Sequence, residues 1–143
     1  MDTRKLDALL ARHLYNLDAA ERDCYVAYEC AMNNVRQRVI YDSSCRNHPR
    51  TRLWVVPGGP GDYLEVDYYS TTWGGMGRVI EAMRGRGLLS IELHWVDDEW
   101  DCELWMTNGF DGWGHAPAIS LAVALAAAYA VAPKELEALE VEG

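Results

Sequence analysis

The chain contains 143 residues, of which 50% are hydrophobic, with six Trp and eight Tyr. This composition is typical of a globular protein, and the length favours one domain, residues 1–143, with an ordinary buried core. The formal net charge of −9 argues against general nucleic-acid binding by the whole surface.

The N-terminal part of the chain predicts two helices. Residues 3–15 place four leucines on one stripe of a helix. Asp18 followed by Glu21 resembles a capping box, in which each side chain accepts a hydrogen bond from the other residue's backbone N–H. Apolar residues then recur at helical spacing as far as Arg38, so we expect a second helix there.

The next segment predicts a loop and a short strand. Residues 42–52, DSSCRNHPRTR, are basic and rich in turn-forming residues, which favours a loop. Residues 53–56 are a short apolar strand. The PGGPG sequence at residues 57–61 is expected to form a turn into the following strand.

Residues 63–86 predict a strand that leads directly into a helix. Apolar and polar residues alternate over 63–69, with Tyr68 on the apolar face and Glu65 on the polar one. The hydroxyl side chains of residues 70–72 can cap the first turn of a helix. The apolar stripe of this helix consists of Trp73, Met76, Val79, Ile80 and Met83.

Residues 89–106 predict a β-hairpin. Alternating strands over 89–96 and 100–106 are joined by a turn at Asp97-Asp98. One face of the hairpin is apolar, and the other carries acidic residues and Trp105. The glycine-rich residues 107–115, TNGFDGWGH, are expected to form a loop.

An Ala-rich helix is expected from Pro117 to about Val131, followed by a short amphipathic tail. The apolar run over 116–132 is short for a membrane span, so we expect no membrane association. Residues 1–10 are charged and amphipathic, unlike a secretory signal. We therefore expect a cytoplasmic protein whose four cysteines are reduced thiols in the core.

The predicted order is helix, helix, strand, strand, helix, strand, strand, helix. It favours an α+β fold in which helices cover one four-stranded, mostly antiparallel sheet. Four short motifs add to this pattern: Leu6-Asp7-Ala8-Leu9, Tyr69-Ser70-Thr71, Val79-Ile80-Glu81-Ala82-Met83 and Ala116-Pro117-Ala118-Ile119.

In these motifs the chain resembles the phage ABA sandwich domain family of small bacteriophage proteins. The resemblance covers the first helix and residues 63–131. It implies a three-layer α/β/α sandwich with an extra N-terminal helix, a phage origin and no catalytic residues to transfer. Residues 18–52 are then an insertion, and the helix start with Gly74, Gly75 and Gly77 is unusually rich in glycine.

Aromatic residues cluster at the predicted sheet ends and loops: Tyr68, Tyr69, Trp73, Trp105, Phe110 and Trp113. Exposed rings can stack on nucleobases. Packing in the core or a dimer interface is the alternative, and it is favoured for Tyr68 and Trp73. Trp105 lies on the polar phase of its strand and Trp113 lies between two glycines, so these two are the strongest candidates for a binding site.

The glycine-rich helix start at residues 70–78 can present backbone N–H groups to a phosphate. It matches neither the dinucleotide-binding fingerprint nor the P-loop. A hydroxyl cap, with glycines that allow a close approach to a neighbouring backbone, is the more common use of such a sequence.

Metal and enzyme chemistry have weak signals. Cys45 and His48 lack a second, correctly spaced ligand pair, so we expect no zinc site. His94 and His115 lie near carboxylates, but spacing alone identifies no nucleophile and base. A small hydrolase using one of these histidines is therefore only a third hypothesis, and no cofactor is expected.

The first hypothesis is a non-enzymatic phage accessory protein that binds and sequesters a small anionic nucleotide used as an immune signal by bacterial hosts. Five arginines within seventeen residues, 36–52, offer a local basic pocket. We expect a homo-oligomer in the host cytoplasm. The residues expected to bind the ligand are Trp113, Trp105, Tyr69, Thr71, Trp73, Arg78 and Arg52.

The alternative is an acidic protein–protein inhibitor, or nucleic-acid mimic, that acts on a host defence enzyme. Residues 1–87 contain eleven acidic residues and twelve Lys or Arg, a net charge of +1. Residues 88–143 contain eleven acidic residues and only Lys134, a net charge of −10. Such a surface can occupy a basic groove of another protein.

Overall fold

The computed structural model describes residues 1–32, 35–41, 50–59 and 62–142. Four helices and seven strands lie in these ranges: α1 (Thr3–Tyr15), β1 (Ala20–Met32), β2 (Val35–Tyr41), β3 (Thr51–Gly59), β4 (Asp62–Glu65), α2 (Trp73–Arg84), β5 (Leu88–Val96), β6 (Glu99–Met106), β7 (Gly112–Ala116), α3 (Ile119–Val131) and α4 (Pro133–Glu142).

The strands form two separate antiparallel arrangements. Strands β1 to β4 close into a ring in the order β1-β2-β4-β3, and β5, β6 and β7 form a three-stranded sheet in that order. The α+β class is confirmed. The predicted single four-stranded sheet is wrong, because the first two predicted strands pair with a hairpin that the sequence pattern had assigned to a helix.

That hairpin, β1–β2, replaces the second predicted helix over residues 18–38. Its two strands pair antiparallel from Tyr25 opposite Tyr41 to Met32 opposite Val35. The segment is rich in Tyr and Val, which favour strands. These signals outweigh the apparent capping box at Asp18, which is not at a helix start.

Helix α1 is confirmed at its predicted bounds. The Asp2 side chain caps it by accepting hydrogen bonds from the backbone N–H groups of Arg4 and Lys5. Asn16 ends it in the left-handed conformation, with φ of 54°. Leu6, Leu9 and Leu10 of the leucine stripe are buried, as expected from their spacing, and Leu14 is partly buried against the same core.

Strands β3 and β4 depart from their predicted bounds. The predicted loop over 42–52 lies outside the described residues as far as 49, and β3 begins at Thr51. β3 also includes the first part of the predicted PGGPG turn, because Pro57 pairs with Tyr63 across a bulge. β4 ends at Glu65. The strand predicted over 63–69 is therefore confirmed as far as Glu65 and wrong for residues 66–69.

Helix α2 is confirmed, and Thr72 is its N-cap, with its hydroxyl accepting from the N–H of Gly75 at 2.9 Å. A Cβ at Gly75 would lie 2.0 Å from the Tyr68 carbonyl oxygen, so this glycine allows the predicted close approach of backbones. Val79 and Met83 are buried. Trp73 was predicted to pack in the core or in a dimer interface; it is the first residue of α2 and is 71% exposed in this chain, so it does not belong to the core.

The β5–β6 hairpin is also confirmed. Asp97 and Asp98 both have positive φ, which a tight two-residue turn between twisted strands requires. Strand β7 lies within the predicted loop 107–115. A Cβ at Gly112 or Gly114 would come within 2.2 Å of α3 backbone oxygens. The glycines of β7 therefore allow the strand to pack closely against the Ala-rich helix α3, and they do not mark a turn of the chain.

The core lies between the three-stranded sheet and helices α1, α2 and α3. α3 packs on one face of β6 and β7, and the opposite face carries exposed side chains. The predicted α/β/α layering is thus not found around this sheet in the described ranges. Within those ranges, no helix combines the length and apolar character needed to cross a membrane.

Two of the four cysteines, Cys24 and Cys102, are buried thiols, as predicted. Burial raises the pKa of the Cys102 thiol to about 12, so it is not a reactive thiolate near neutral pH. Cys45, with the rejected zinc partner His48, lies outside the described residues.

Candidate functional site

One face of the three-stranded sheet is exposed, and we call it the outer face. Residues alternate along β6 and β7, so that Cys102, Leu104 and Gly114 are buried while their neighbours are not. The outer face comprises Ser90, Glu92, His94, Asp101, Glu103, Trp105, Trp113 and His115.

Trp105 and Trp113 are both neighbours of Glu103 on this outer face. Glu103 is directly opposite Trp113 in the β6–β7 register and two residues from Trp105 on the same strand. The two indoles are 45% and 53% exposed. Together with Glu103, Asp111 and Tyr129 they line a shallow groove of about 240 Å³, which we call the tryptophan groove.

A second groove, of about 530 Å³, continues from the first. The two share Asp111 and Tyr129, and Phe110 adds a ring that is 71% exposed. Asp111 is held in place because its carboxylate accepts a hydrogen bond from the Met106 backbone N–H at 2.7 Å. Exposed aromatic rings and carboxylates therefore alternate along this part of the surface.

The charge of this region is strongly negative. Residues 88–116 contain seven acidic residues and no Lys or Arg. His115 contacts acids through both ring nitrogens: its Nδ1 contacts Asp101 and its Nε2 contacts Glu99. The hydrogen bond to Asp101, reinforced by the charge of Glu99, raises the pKa of His115 and favours imidazolium.

These contacts bear on the hydrolase hypothesis. Both ring nitrogens of His115 contact carboxylates, so neither offers a free lone pair for a general base. His94 Nε2 lies 3.9 Å from Glu92 on the same strand. No group of three His, Cys, Asp or Glu side chains suited to a metal ion occurs in the described part of the chain.

The start of α2 forms a different surface. Tyr15, Gly74, Gly77, Arg78 and Glu81 line a groove of about 470 Å³ there. The Arg78 guanidinium donates to Asp67 at 2.9 Å, and its Nε lies 2.5 Å from the same carboxylate. Its charge is therefore already paired.

Three predicted ligand residues occupy other positions. Tyr69 is 4% exposed and stacks on Tyr15 with ring centroids 5.3 Å apart, so its hydroxyl does not reach a surface groove. Burial also raises its pKa. Thr71 is exposed beside the α2 start. Arg52 belongs to the four-stranded ring, where it pairs with Glu21 and Asp23.

The predicted site residues thus lie on three separate surfaces: Trp105 and Trp113 on the outer face, Thr71, Trp73 and Arg78 at the start of α2, and Arg52 on the four-stranded ring, while Tyr69 is buried. Strand alternation was sufficient to place Glu103 beside Trp105. Tyr129, by contrast, reaches the groove through the packing of α3 on the sheet, for which the sequence pattern carries no signal.

The fold and this surface define an α+β protein with an exposed, acidic and aromatic sheet face. No match to the chain was found among protein-family models, curated proteins or solved structures. The resemblance to the phage ABA sandwich domain family therefore stays a prediction.

Proposed function

We propose that this chain is a non-enzymatic binding protein whose tryptophan groove binds an Arg or Lys side chain of a partner protein. The observation that carries the proposal is the position of Glu103 next to two exposed indoles, in a segment, residues 88–116, without Lys or Arg. This develops the acidic-inhibitor hypothesis. If the phage resemblance holds, the partner is a host enzyme with a basic groove.

The chemistry of the groove suits a guanidinium. Its planar cation stacks on an indole face, for about 0.5–2 kcal/mol depending on desolvation. Its N–H groups can at the same time donate to a carboxylate such as Glu103 or Asp111. The acidic residues around the groove also accelerate the approach of a basic partner, an effect that falls with ionic strength.

The same charges disfavour a phosphate ligand in this groove. A nucleotide stacked on Trp113 would bring its phosphates close to Glu103 and Asp111. The two arginines predicted to hold those phosphates, Arg52 and Arg78, pair with carboxylates on other surfaces. The carboxylate beside each arginine offsets part of its positive charge and weakens its attraction for an anion.

The test uses a defined cationic probe. A short peptide with several arginines is titrated by calorimetry against the protein, and the same peptide with citrulline in place of arginine is the neutral control. We expect binding of the arginine peptide, weakened by added salt, and little binding of the citrulline peptide. Equal binding of both peptides would contradict the proposal.

Variants locate the binding site. Trp113→Ala and Glu103→Gln should each weaken arginine-peptide binding, whereas Trp73→Ala should not. Trp73 is a matched control because it is an exposed tryptophan at the start of α2, outside the outer face. If all three variants bind alike, the tryptophan groove is not the site.

The nucleotide-sequestering hypothesis keeps one supporting observation, at the start of α2. A Cβ at Gly77 would meet no atom within 4 Å, and Gly74 faces the Arg78 guanidinium. A glycine inside a helix costs about 0.5–1 kcal/mol relative to alanine, and packing does not explain it here. A nucleotide lying across Gly74 and Gly77, with its base on Trp73, would explain why glycine occupies these positions.

Native mass spectrometry of the protein purified from bacteria with nucleotide-based defence tests this second candidate. An intact nucleotide released on denaturation, and lost in Trp73→Ala but not in Trp113→Ala, would support it. A protein that carries no nucleotide would count against it, and a bound product of nucleotide hydrolysis would instead favour the hydrolase hypothesis.

A further inference from the structure

Strand β5 lies at an edge of the three-stranded sheet. It pairs with β6 on one side, and among the described residues no strand pairs with its other side. Its nine residues include no Gly, Pro, Lys or Arg, the residues with which edge strands commonly block pairing. Its outward N–H and C=O groups are therefore available for another strand.

The face of β5 that continues the core is also poorly covered. Leu93 and Trp95 lie opposite Cys102 and Trp100, on the side of the sheet that α3 covers at β6 and β7. Cys102 is fully buried, yet Leu93 and Trp95 are 40% and 53% exposed. An apolar row thus runs along the unpaired edge, where its burial would be favourable.

We propose that β5 pairs antiparallel with β5 of a second copy of this chain, about a two-fold axis at Leu93, to form a continuous six-stranded sheet. Such a two-fold axis, perpendicular to the sheet, keeps the helices of both copies on one side. It also requires that paired residues belong to the same face.

Hydrogen-bonding complementarity selects this register, because an imidazole N–H can donate to a carboxylate. With the axis at Leu93, Glu92 lies opposite the partner's His94, and His94 opposite the partner's Glu92. An axis at Glu92 or at His94 would instead set identical residues opposite each other. On the apolar side, the same register sets Leu93 against the partner's Leu93 and Ile91 against the partner's Trp95.

This pairing is independent of the proposed function. Trp105 and Trp113 belong to β6 and β7, away from the free edge of β5. The dimer would therefore leave both tryptophan grooves exposed on one outer face, towards its two opposite edges. A partner with repeated basic groups would then bind through two grooves with increased avidity.

The first test is the mass in solution, measured by sedimentation equilibrium over a range of protein concentrations. We expect a dimer for the wild type and a monomer for Leu93→Lys, which places a charge at the two-fold axis. Val141→Lys is the matched control, because Val141 is an apolar residue of α4 that is 82% exposed. A monomeric wild type, or equal effects of the two lysines, would overturn the proposal.

Charge variants test the register itself. Glu92→Lys and His94→Glu should each weaken self-association about tenfold. The first variant places a lysine opposite the partner's His94 at both symmetric positions, and the second places a glutamate opposite the partner's Glu92 at both. When the two variants are mixed, the lysine introduced in one copy lies opposite the glutamate introduced in the other, and the remaining native Glu92 and His94 also face each other. We expect a mixed dimer, detected by native mass spectrometry. If mixing restores no association, β5 does not pair in this register, and circular dichroism of each variant shows whether it is folded.

Discussion

The tryptophan groove and the start of α2 both expose a tryptophan beside charged side chains, but they differ in whether those charges are already paired. At the start of α2, Arg78 contacts Asp67 twice. In the tryptophan groove, Glu103 adjoins two indoles in a segment without Lys or Arg. The residue types alone favoured a nucleotide at both places. Because the carboxylates of the groove have no Lys or Arg nearby in the sequence, the groove favours a cationic ligand. Because Arg78 is already paired with Asp67, the start of α2 is a weaker candidate for binding an anion.

The two surfaces also differ in what holds them in place. The start of α2 depends on buried polar contacts: Asp7 is fully buried, and its carboxylate accepts from Arg4 at 2.6 Å and from the Ser70 N–H at 2.8 Å. Burial raises the pKa of Asp7, against the opposing effect of Ser70 and Arg4. The tryptophan groove instead depends on the packing of α3 against two glycines of β7.

The largest effect is expected from Asp7→Ala. Removing this carboxylate leaves the Arg4 guanidinium and the Ser70 N–H without their buried acceptor, which should cost about 3–5 kcal/mol of unfolding free energy. Urea denaturation measures the loss. The control is Glu81→Ala, which removes an exposed ion pair with Arg84 and should cost less than about 1 kcal/mol. Similar losses in both variants would show that Asp7 does not anchor the start of α2.

Two glycine substitutions should change the stability of the protein in opposite directions. Gly114→Ala forces a Cβ to within 2.2 Å of the Ala122 carbonyl oxygen, so α3 must move and stability should fall by about 1–3 kcal/mol. Gly77→Ala meets no atom, and should stabilise the helix by about 0.4–1 kcal/mol. Thermal unfolding of both variants, with the wild type, measures the difference. A neutral Gly114→Ala would mean that β7 and α3 are less closely packed than described.

Trp113→Ala should separate binding from stability. The indole is about half exposed, so unfolding free energy should change little, whereas a central aromatic contact of an interface is worth about 2 kcal/mol, or roughly thirtyfold in Kd. Calorimetric titration with the arginine peptide gives the Kd, and urea denaturation gives the stability. A large loss of stability with unchanged binding would show that Trp113 stabilises the fold and does not contact the peptide.

The smallest effect is a dependence of stability on pH. Asp101 and Glu99 raise the pKa of His115 in the folded state above its ordinary value of 6.5. The stabilisation is therefore fully present below about pH 6.5, and it is lost as the pH rises through the folded-state pKa. The melting temperature of wild type minus that of His115→Gln should decrease over this interval. A constant difference from pH 5 to pH 9 would show that the imidazolium contributes nothing.

Elements with strong local signals were predictable. The alternation of residues 89–106 and the Asp97-Asp98 turn specified the hairpin, and the Thr72 cap with its helical stripe specified α2. β7 was not predictable in the same way, because glycines that permit close packing have the same sequence appearance as glycines in a loop. A helix was wrongly predicted in place of the β1–β2 hairpin, because the apolar residues of this segment fit helical spacing as well as a strand.

The sequence by itself determined the α+β class, the bounds of α1 and α2, and the exposure of Trp105 and Trp113, since caps, turns and periodicity act over a few residues. Only the tertiary structure decided which charges are neutralised and which surfaces they share. Arg52 meets Glu21, thirty-one residues away, and Tyr129 reaches the tryptophan groove from α3. Such contacts depend on how strands pair and helices pack across the whole chain, and these arrangements decide which ligand chemistry each surface can accept.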